Sequence, residues 1–371
     1  MEHYLDNSAT TMTCPEAAKA ALRAMTDLYG NPSSTYKKGR EAKKLLDECR
    51  ADVACALGAA AEEVVFTSCG TESDNWAIIR GAQSRRHSGR HIISSLVEHD
   101  AVRESLDYLE HEGFEVTRLR PDAAGVISAD SVIGALRPDT VLVTLMMVNN
   151  ETGAVTDIAE IAGQLKKAGY TGLFHTDAVQ AFKKIPFKAD KLGADLISIS
   201  GHKIHAVKGV GALYIRSGVK LPPYILGGHQ ESGRRAGTEA MPAIAAFAAA
   251  CRQDPQIDRI ASLKAYLSER LSAAVPEIRM LDTAAPHILS ISMPGWRSEV
   301  LMNFLEERGV YVSKSSACRQ GRRSHVLEAI GMAPAAIDGA LRIGLSRFNT
   351  REDIDALAEG LSGARMLAHS R

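Results

Sequence analysis

The stretch GLFHTDAVQAFKKIPFKADKLGADLISISGHK (residues 172–203) contains two strand candidates, GLFHTDA (172–178) and LISIS (196–200). Hydrogen-bonding and ionisable side chains stand at the end of each of them, in HTDAVQ and in GHK. Short apolar runs bounded by turn residues are typical of strands in the middle of a sheet. The stretch therefore predicts two successive buried strands whose carboxyl ends carry polar residues.

The same alternation of strands and helices extends over the first two thirds of the chain. Further strand candidates are VVFTS (64–68), HIISS (91–95), TVLVTLMMV (140–148) and GALYI (211–215). Helical patterns separate them, for example PEAAKAALRAMTDLYG, which ends at Gly30, and TDIAEIAGQLKKAG, which ends at Gly169. This order predicts an α/β architecture with a mainly parallel sheet.

The pattern changes after about residue 245, where an Ala-rich helix precedes fewer strands, HILSISM (287–293) and VYVSK (310–314). We interpret residues 16–245 as a large domain and residues 246–371 as a smaller α+β domain. Residues 1–15 are expected to pack against the smaller domain.

The composition excludes several classes of function. The 371 residues contain 44 Lys and Arg and 44 Asp and Glu, so the formal net charge is zero. A general nucleic-acid or membrane-surface binder would need a basic excess. No signal peptide is predicted at the N-terminus, and the six scattered cysteines suit a reduced, cytoplasmic protein. Cys14, Cys49, Cys55 and Cys251 lie in or beside helical patterns and are predicted to be packing residues.

Polar segments follow five of the predicted strands, namely CGTESDN, LVEHD, NNETG, HTDAVQ and GHKIH. Open α/β sheets bind their ligands at the carboxyl ends of the strands. One such segment is usually an ordinary loop, but five together predict a cofactor site.

The residue types at this edge indicate which cofactor is expected. Gly70 and Thr71 precede a helix and offer donors to an anion such as a phosphate. Asp177 could keep a pyridinium nitrogen protonated, and Lys203 could form an imine. Together they describe a pyridoxal 5'-phosphate site. No GxGxxG follows the first strand, which disfavours a dinucleotide, and the histidines lack metal-ligand spacing.

Cys318 lies in the polar, basic stretch VSKSSACRQGRRSHV (312–326). Nearby Lys and Arg side chains would favour its thiolate, the reactive form of the sulfur. From this stretch alone, a reactive thiol and an incidental surface cysteine both remain open.

A set of motifs, in this order along the chain, resembles the motifs of a known protein family. They are YLDNSATT, NPSS, VVFTSCGTESDN, EHDAV, NNETG, HTDAVQ, SGHKIHAVKGVGALYIR, GRRAGTE, SSACRQG, SHVL and LRIGLSRFNTREDID. Together they resemble the NifS/IscS-type cysteine desulfurases of the class V aminotransferase family, nearly from end to end. The resemblance implies the fold type I of pyridoxal-phosphate-dependent transferases, with a mainly parallel seven-stranded sheet between helices.

The resemblance also implies roles for individual residues. Lys203 would hold the cofactor as a Schiff base, and His99 would stack on its ring and assist proton transfer. Asp177 and Gln180 would bind the ring nitrogen and the phenolic oxygen. The phosphate would be bound by Gly70, Thr71, Ser200 and His202, and by Thr238 of the neighbouring subunit in a homodimer. Asn150 would contact cofactor and substrate, and Arg342 would bind the substrate carboxylate, which suits a bidentate guanidinium.

The implied reaction converts L-cysteine to L-alanine and leaves a persulfide on Cys318, carried by a mobile loop. The sulfur would pass to an acceptor protein of iron–sulfur cluster assembly or of tRNA or cofactor thiolation. Three alternatives stay open: a selenocysteine lyase, another class V enzyme in which Cys318 is incidental, and a catalytically degenerate regulatory protein.

Overall fold

The computed structural model describes residues 2–314 and 323–369. The strands are β1 (His3–Tyr4), β2 (Val64–Thr67), β3 (His91–Ser95), β4 (Glu115–Leu119), β5 (Thr140–Met146), β6 (Leu173–Asp177), β7 (Leu196–Ser200), β8 (Gly211–Ile215), β9 (Arg279–Leu281), β10 (Ile288–Ser292), β11 (Val310–Tyr311), β12 (Ser313–Lys314) and β13 (Ala340–Gly344). The helices are α1 (Pro15–Thr26), α2 (Lys37–Leu57), α3 (Gly70–Asn75), α4 (Gly81–Ser84), α5 (Asp100–His111), α6 (Ala129–Gly134), α7 (Ile158–Lys167), α8 (Ala189–Leu192), α9 (Met241–Cys251), α10 (Ile257–Ala274), α11 (Ser298–Glu306), α12 (His325–Ala329), α13 (Pro334–Asp338) and α14 (Arg351–His369).

The central sheet has seven strands in the order β2-β8-β7-β6-β5-β3-β4. Strands β7, β6, β5, β3 and β4 are parallel to one another, whereas β8 is antiparallel to both β7 and β2. Two antiparallel steps restore the direction, so β2 runs the same way as β7. The carboxyl ends of β2, β3, β5, β6 and β7 therefore meet at one edge of the sheet. The predicted mainly parallel seven-stranded sheet is confirmed.

Helices cover both faces of this sheet, as its buried strands require. Strands β2, β3, β5, β6, β7 and β8 are buried at every residue. On one face the core includes residues of α1, α2, α7 and α9. On the other face it includes Trp76, Ile78, Val102 and Leu106, which belong to the helical segments after β2 and β3.

A second, antiparallel sheet has the order β12-β13-β10-β9 and packs against α10, α11 and α14 around its own hydrophobic core. This unit is the smaller α+β part that the sequence predicts. The N-terminal segment contacts both parts of the chain. Strand β1 pairs with β11, while Cys14 N donates to His205 O at 2.9 Å. The boundaries at residues 16, 245 and 246 stay a prediction.

Three details differ from the sequence-based expectations. Strands β1, β4, β9 and β13 were not predicted; β1, β4 and β9 are incompletely buried. Helix α1 ends at Thr26 rather than near Gly30. Cys55 is exposed, whereas Cys14, Cys49 and Cys251 are buried as packing residues. None of the helices in the described part of the chain combines the length and apolar character that crossing a bilayer requires.

Candidate active site

A cleft of about 1060 Å³ opens at the carboxyl edge of the central sheet and is also lined by the smaller part of the chain. The predicted site residues that line it are Gly70, Thr71, His99, Asn150, Asp177, Gln180, Ser200, His202, Lys203 and Arg342. Thr238 is exposed and does not line this cleft. Cys318 lies outside the described residues, so its position relative to the cleft stays a prediction.

Gly70 allows the backbone to approach the opposite wall of the cleft closely. Helix α3 begins at Gly70, immediately after β2 and a two-residue link. A Cβ at this position would lie 2.7 Å from Val179 Cγ2 and 3.5 Å from Ser200 Cβ. The hydroxyl of Ser200 is buried and has no hydrogen-bond partner among the described residues. The start of α3 and this spare hydroxyl form a concave surface suited to an anion.

Lys203 closes the 3₁₀ turn that follows β7. Its Nζ donates to the carbonyl oxygens of Ser8 at 2.6 Å and Ala9 at 2.7 Å, so the N-terminal segment fixes the amine. The neighbouring His202 has its Nδ1 3.2 Å from Thr10 Oγ1. Burial, reinforced by the charge of Lys203, lowers the pKa of His202 to about 4. His202 is therefore neutral near pH 7 and can serve as a hydrogen-bonding group without adding charge.

Three carboxyl groups lie buried around one wall of the cleft. Asp177 ends β6, Asp74 lies on α3, and Glu98 follows β3; all three are at most 6% exposed. Burial raises the pKa of each of them, and that of Glu98 to about 8. The charge of Asp177 raises the pKa of Asp74 and Glu98 further. Like charges in a low-dielectric site do not ionise together, so burial and mutual repulsion favour protons within this group, and Glu98 in particular stays largely protonated near pH 7.

The hydrogen bonds of these carboxyl groups are incomplete. Glu98 Oε1 accepts from Ser95 Oγ at 2.5 Å and from Met146 N at 3.2 Å. Glu98 Oε2 and Asp74 Oδ1 have no hydrogen-bond partner in the described part of the chain. His175 Nε2 is 3.6 Å from Asp74 Oδ1, but burial lowers the pKa of His175 to about 3. The imidazole of His175 is therefore neutral and supplies no positive charge next to Asp74.

His99 and Gln180 have defined orientations. His99 caps α5, and its Nδ1 accepts from Ala101 N at 3.1 Å, so the proton of the neutral ring is on Nε2. Gln180 Nε2 donates to Ser8 O at 2.8 Å, while its Oε1 accepts from Lys184 Nζ at 3.3 Å. The hydrogen bond from Lys184 to Oε1 orients the amide with its NH₂ away from Lys184.

Arg342 lies on β13 and is 2% exposed. Its Nη2 donates to Asp6 Oδ1 at 2.9 Å and to Ser313 Oγ at 2.8 Å, and its Nη1 donates to Asn150 O at 2.9 Å. Its Nε has no hydrogen-bond partner among the described residues. Asp6 and Ser313 therefore orient the guanidinium while leaving a buried donor for a further acceptor.

Glu151 joins the central sheet region to the smaller part of the chain. Its Oε2 accepts from Ser324 Oγ at 2.5 Å, and Ser324 Oγ in turn accepts from Leu327 N at the start of α12. Burial raises the pKa of Glu151 to about 7. Close by, Arg323 forms a two-bond ion pair with Asp338 at 2.7 and 2.8 Å. These contacts fix the chain just after residue 322.

Comparisons with known proteins agree with this geometry. The family model described as Aminotransferase class-V matches residues 3–357. Over 365 residues the chain is 41% identical to cysteine desulfurase IscS of Methanosarcina thermophila, covering 96% of this chain and 90% of that protein. It is 40% identical to putative cysteine desulfurase IscS 1 of Bacillus subtilis strain 168, covering 96% of each. The chain belongs to the cysteine desulfurases of the class-V aminotransferase family.

Two solved structures share the fold of this chain. A structure titled NifS-like protein has a TM-score of 0.93 and 35% identity, covering 99% of this chain and 100% of that one. A structure titled SspA in complex with cysteine has a TM-score of 0.83 and 32% identity, covering 94% and 100%. The predicted fold and enzyme class are confirmed.

Cysteine desulfurases of this family use pyridoxal 5'-phosphate, and the cleft fits that group. The spare hydroxyl of Ser200 and the approach permitted by Gly70 suit a phosphate. The buried carboxyl of Asp177 suits a protonated ring nitrogen, and Lys203 offers an amine for covalent attachment.

The sequence reasoning missed several residues of this cleft. Asp74, Glu98 and Glu151 lie close to predicted site residues in the motifs GTESDN, EHD and NNETG. Their positions in these motifs were the available signal, but their shared burial is visible only in the folded chain.

Proposed function

We propose that this cysteine desulfurase binds pyridoxal 5'-phosphate on Lys203 and converts L-cysteine to L-alanine, transferring the sulfur to Cys318. The observation that carries the proposal is the convergence of Lys203, Asp177 and Arg342 on one cleft. An amine, a buried acid and a buried guanidinium are the groups needed to attach a cofactor, neutralise its ring nitrogen and bind an amino-acid carboxylate.

The bound cofactor would act as an electron sink for the carbon atoms of the substrate. Asp177 would keep a proton on the ring nitrogen, and Gln180 Nε2 would donate to the phenolic oxygen. Gly70, Thr71, Ser200 and His202 would hold the phosphate. His99 would lie against the ring with its Nε2 proton available.

Lys203 would move the proton at the substrate Cα. Its Nζ is 2.6–2.7 Å from two backbone carbonyl oxygens, which provide acceptors when the amine is released as an ammonium. Arg342 and Asn150 would fix the substrate carboxylate, so that the Cα–H bond faces Lys203.

Cys318 would act as the nucleophile. Its thiolate would attack the substrate sulfur, the C–S bond would break with its electron pair remaining on carbon, and that carbon would be protonated to complete alanine. The persulfide would then pass to an acceptor protein that serves iron–sulfur cluster assembly or thiolation. We further propose a cytoplasmic homodimer in which Thr238 reaches the phosphate of the neighbouring subunit. A clean monomer in light scattering would contradict the Thr238 assignment.

The test measures alanine and sulfide formed from L-cysteine in the presence of dithiothreitol. We expect equal amounts of both from the natural protein and neither from Cys318→Ser or Lys203→Ala. Cys55→Ser is the matched control, because Cys55 is an exposed free thiol outside the cleft. If Cys318→Ser retained full activity, the nucleophile assignment would be wrong. Loss of sulfide release with retained selenide release from selenocysteine would instead indicate a selenocysteine lyase.

A further inference from the structure

A second cavity shares Lys203 with the cleft but is otherwise lined by different residues. Its volume is about 30 Å³. Its lining includes Lys183, Lys184, Lys203, His205, His287 and Arg347. Within residues 2–314 and 323–369, no carboxylate lines it. The ionisable groups among its described lining residues are all basic, which is unusual because cations removed from water are normally paired.

Two of these basic side chains are deeply buried and poorly satisfied. Lys184 is 8% exposed, and Gln180 Oε1 at 3.3 Å accepts one of the three donors that its ammonium would have. His287 is 1% exposed, and neither of its ring nitrogens has a hydrogen-bond partner in the described part of the chain. Buried polar groups of native proteins are nearly always satisfied, so these atoms point to a missing ligand.

The charges around the cavity indicate the sign of that ligand. Besides burial, the influences on the pKa of Lys184 come from Lys203 and Arg342, and both lower it. The pKa of His287 is lowered by burial and then by lysines, first among them Lys184. Asp254 acts on Lys183, at the edge of this group. Together with the basic side chains that line the cavity, these influences favour a ligand of negative charge.

We propose that this cavity binds one small monovalent anion, of the size of a halide ion, in contact with Lys184 and His287. About 10–15 Å³ suffices for one water molecule, so about 30 Å³ accommodates a halide ion but leaves no space for a hydrated polyatomic anion. The anion supplies the charge that a buried ammonium needs, and it accepts hydrogen bonds from Lys184 and from the protonated nitrogen of His287.

This anion site also bears on the cleft. A protonated Lys184 donates to Gln180 Oε1 and keeps Gln180 Nε2 directed towards the cleft side of the residue. An unprotonated Lys184 could accept a hydrogen bond instead, and the amide could then turn over. The anion thus fixes the donor that the proposed function assigns to the cofactor's phenolic oxygen, and this step alone rests on that function.

The first test is a crystal of the holoenzyme grown with sodium bromide, measured at the bromine absorption edge. We expect an anomalous peak within hydrogen-bond distance of Lys184 Nζ and a His287 ring nitrogen. Water without anomalous signal at that position would overturn the proposal. This measurement uses the natural protein and does not depend on any variant folding correctly.

The second test measures thermal unfolding of the holoenzyme at fixed ionic strength, as bromide or chloride replaces sulfate. The midpoint should rise with the logarithm of halide concentration for the natural protein. The rise should disappear in Lys184→Met and His287→Phe and persist in Lys166→Met, which removes an exposed lysine of α7. An equal rise in all four proteins would overturn the proposal. Cys318→Ser should keep the halide response, so failure of the desulfurase assignment would be distinguishable from failure of the anion site.

Discussion

Glu98→Gln is expected to make the stability of the cofactor-free protein less dependent on pH. Glu98 is 1% exposed, its Oε2 has no hydrogen-bond partner among the described residues, and burial raises its pKa to about 8. Glutamine has the same shape and keeps the oxygen that accepts from Ser95 and Met146. The substitution therefore removes the titration while preserving the packing.

The sign and size of the effect follow from the two pKa values. An unfolded glutamate titrates near pH 4.3, so between about pH 4.3 and about pH 8 the folded state holds a proton that the unfolded state has lost. The stability due to the protonated carboxyl is complete below the unfolded pKa and is lost as the pH rises through the folded pKa. Each pH unit in this window lowers the free energy of unfolding by about 1.4 kcal/mol, and by at most about 5 kcal/mol across it.

The assay is urea unfolding at several values between about pH 5.5 and about pH 8. As the pH rises, we expect the free energy of unfolding of Glu98→Gln to fall less steeply than that of the natural protein. The two slopes should differ by about 1.4 kcal/mol per pH unit, the value for one proton. Glu110→Gln is the control, because its ion pair with Arg118 lowers the pKa of Glu110 and confines its titration to more acidic conditions. Parallel pH dependences for Glu98→Gln and the natural protein would refute the reasoning.

Three other substitutions give separate outcomes. Gly70→Ala should weaken cofactor binding about tenfold or more, measured by fluorescence titration, because its Cβ would press on Val179 at 2.7 Å. Arg342→Lys should raise the KM for L-cysteine about tenfold, because a lysine loses the bidentate contact. Glu231→Ala should lower the free energy of unfolding, measured in urea, by about 3–5 kcal/mol. The guanidinium of Arg50 would lose the carboxylate that accepts two of its hydrogen bonds. An unchanged value in any of these measurements would contradict the corresponding contact.

The sheet was predictable because its strands carry their own signal. Buried apolar runs such as β5 and β7 can be recognised as strands without knowing which strands they pair with. The rule that parallel strands end at one edge of a sheet then places Asp177 and Lys203 together. Strand β4 was missed because its residues EVTRL are only partly buried and read as polar sequence. Its strand character comes from pairing with β3 rather than from its composition.

The charge balance of the cleft could not be predicted in the same way. Arg342 and its partner Asp6 are 336 positions apart, and only the pairing of β1 with β11 and the contact of Asp6 with β13 bring them together. Likewise, Asp74 and Glu98 stand in polar motifs that look exposed. Their pKa values depend on burial by helices from elsewhere in the chain, which a local pattern does not contain.

The acidic groups and the basic groups of the cleft come from different strands, and this separation affects which ligands the cleft can bind. Acidic groups, Asp74, Glu98 and Asp177, follow β2, β3 and β6, whereas the cations Lys203 and Arg342 approach from β7 and β13. Asp74, Glu98 and Arg342 are buried, and each has a polar atom without a hydrogen-bond partner among the described residues, which costs stability in the protein alone. An occupant lowers that cost only if it presents a positive group to the acids and negative groups to the bases. A ligand with the opposite polarity would add to the cost, so the charges of the cleft favour a ligand with a cationic group on one side and anionic groups on the other.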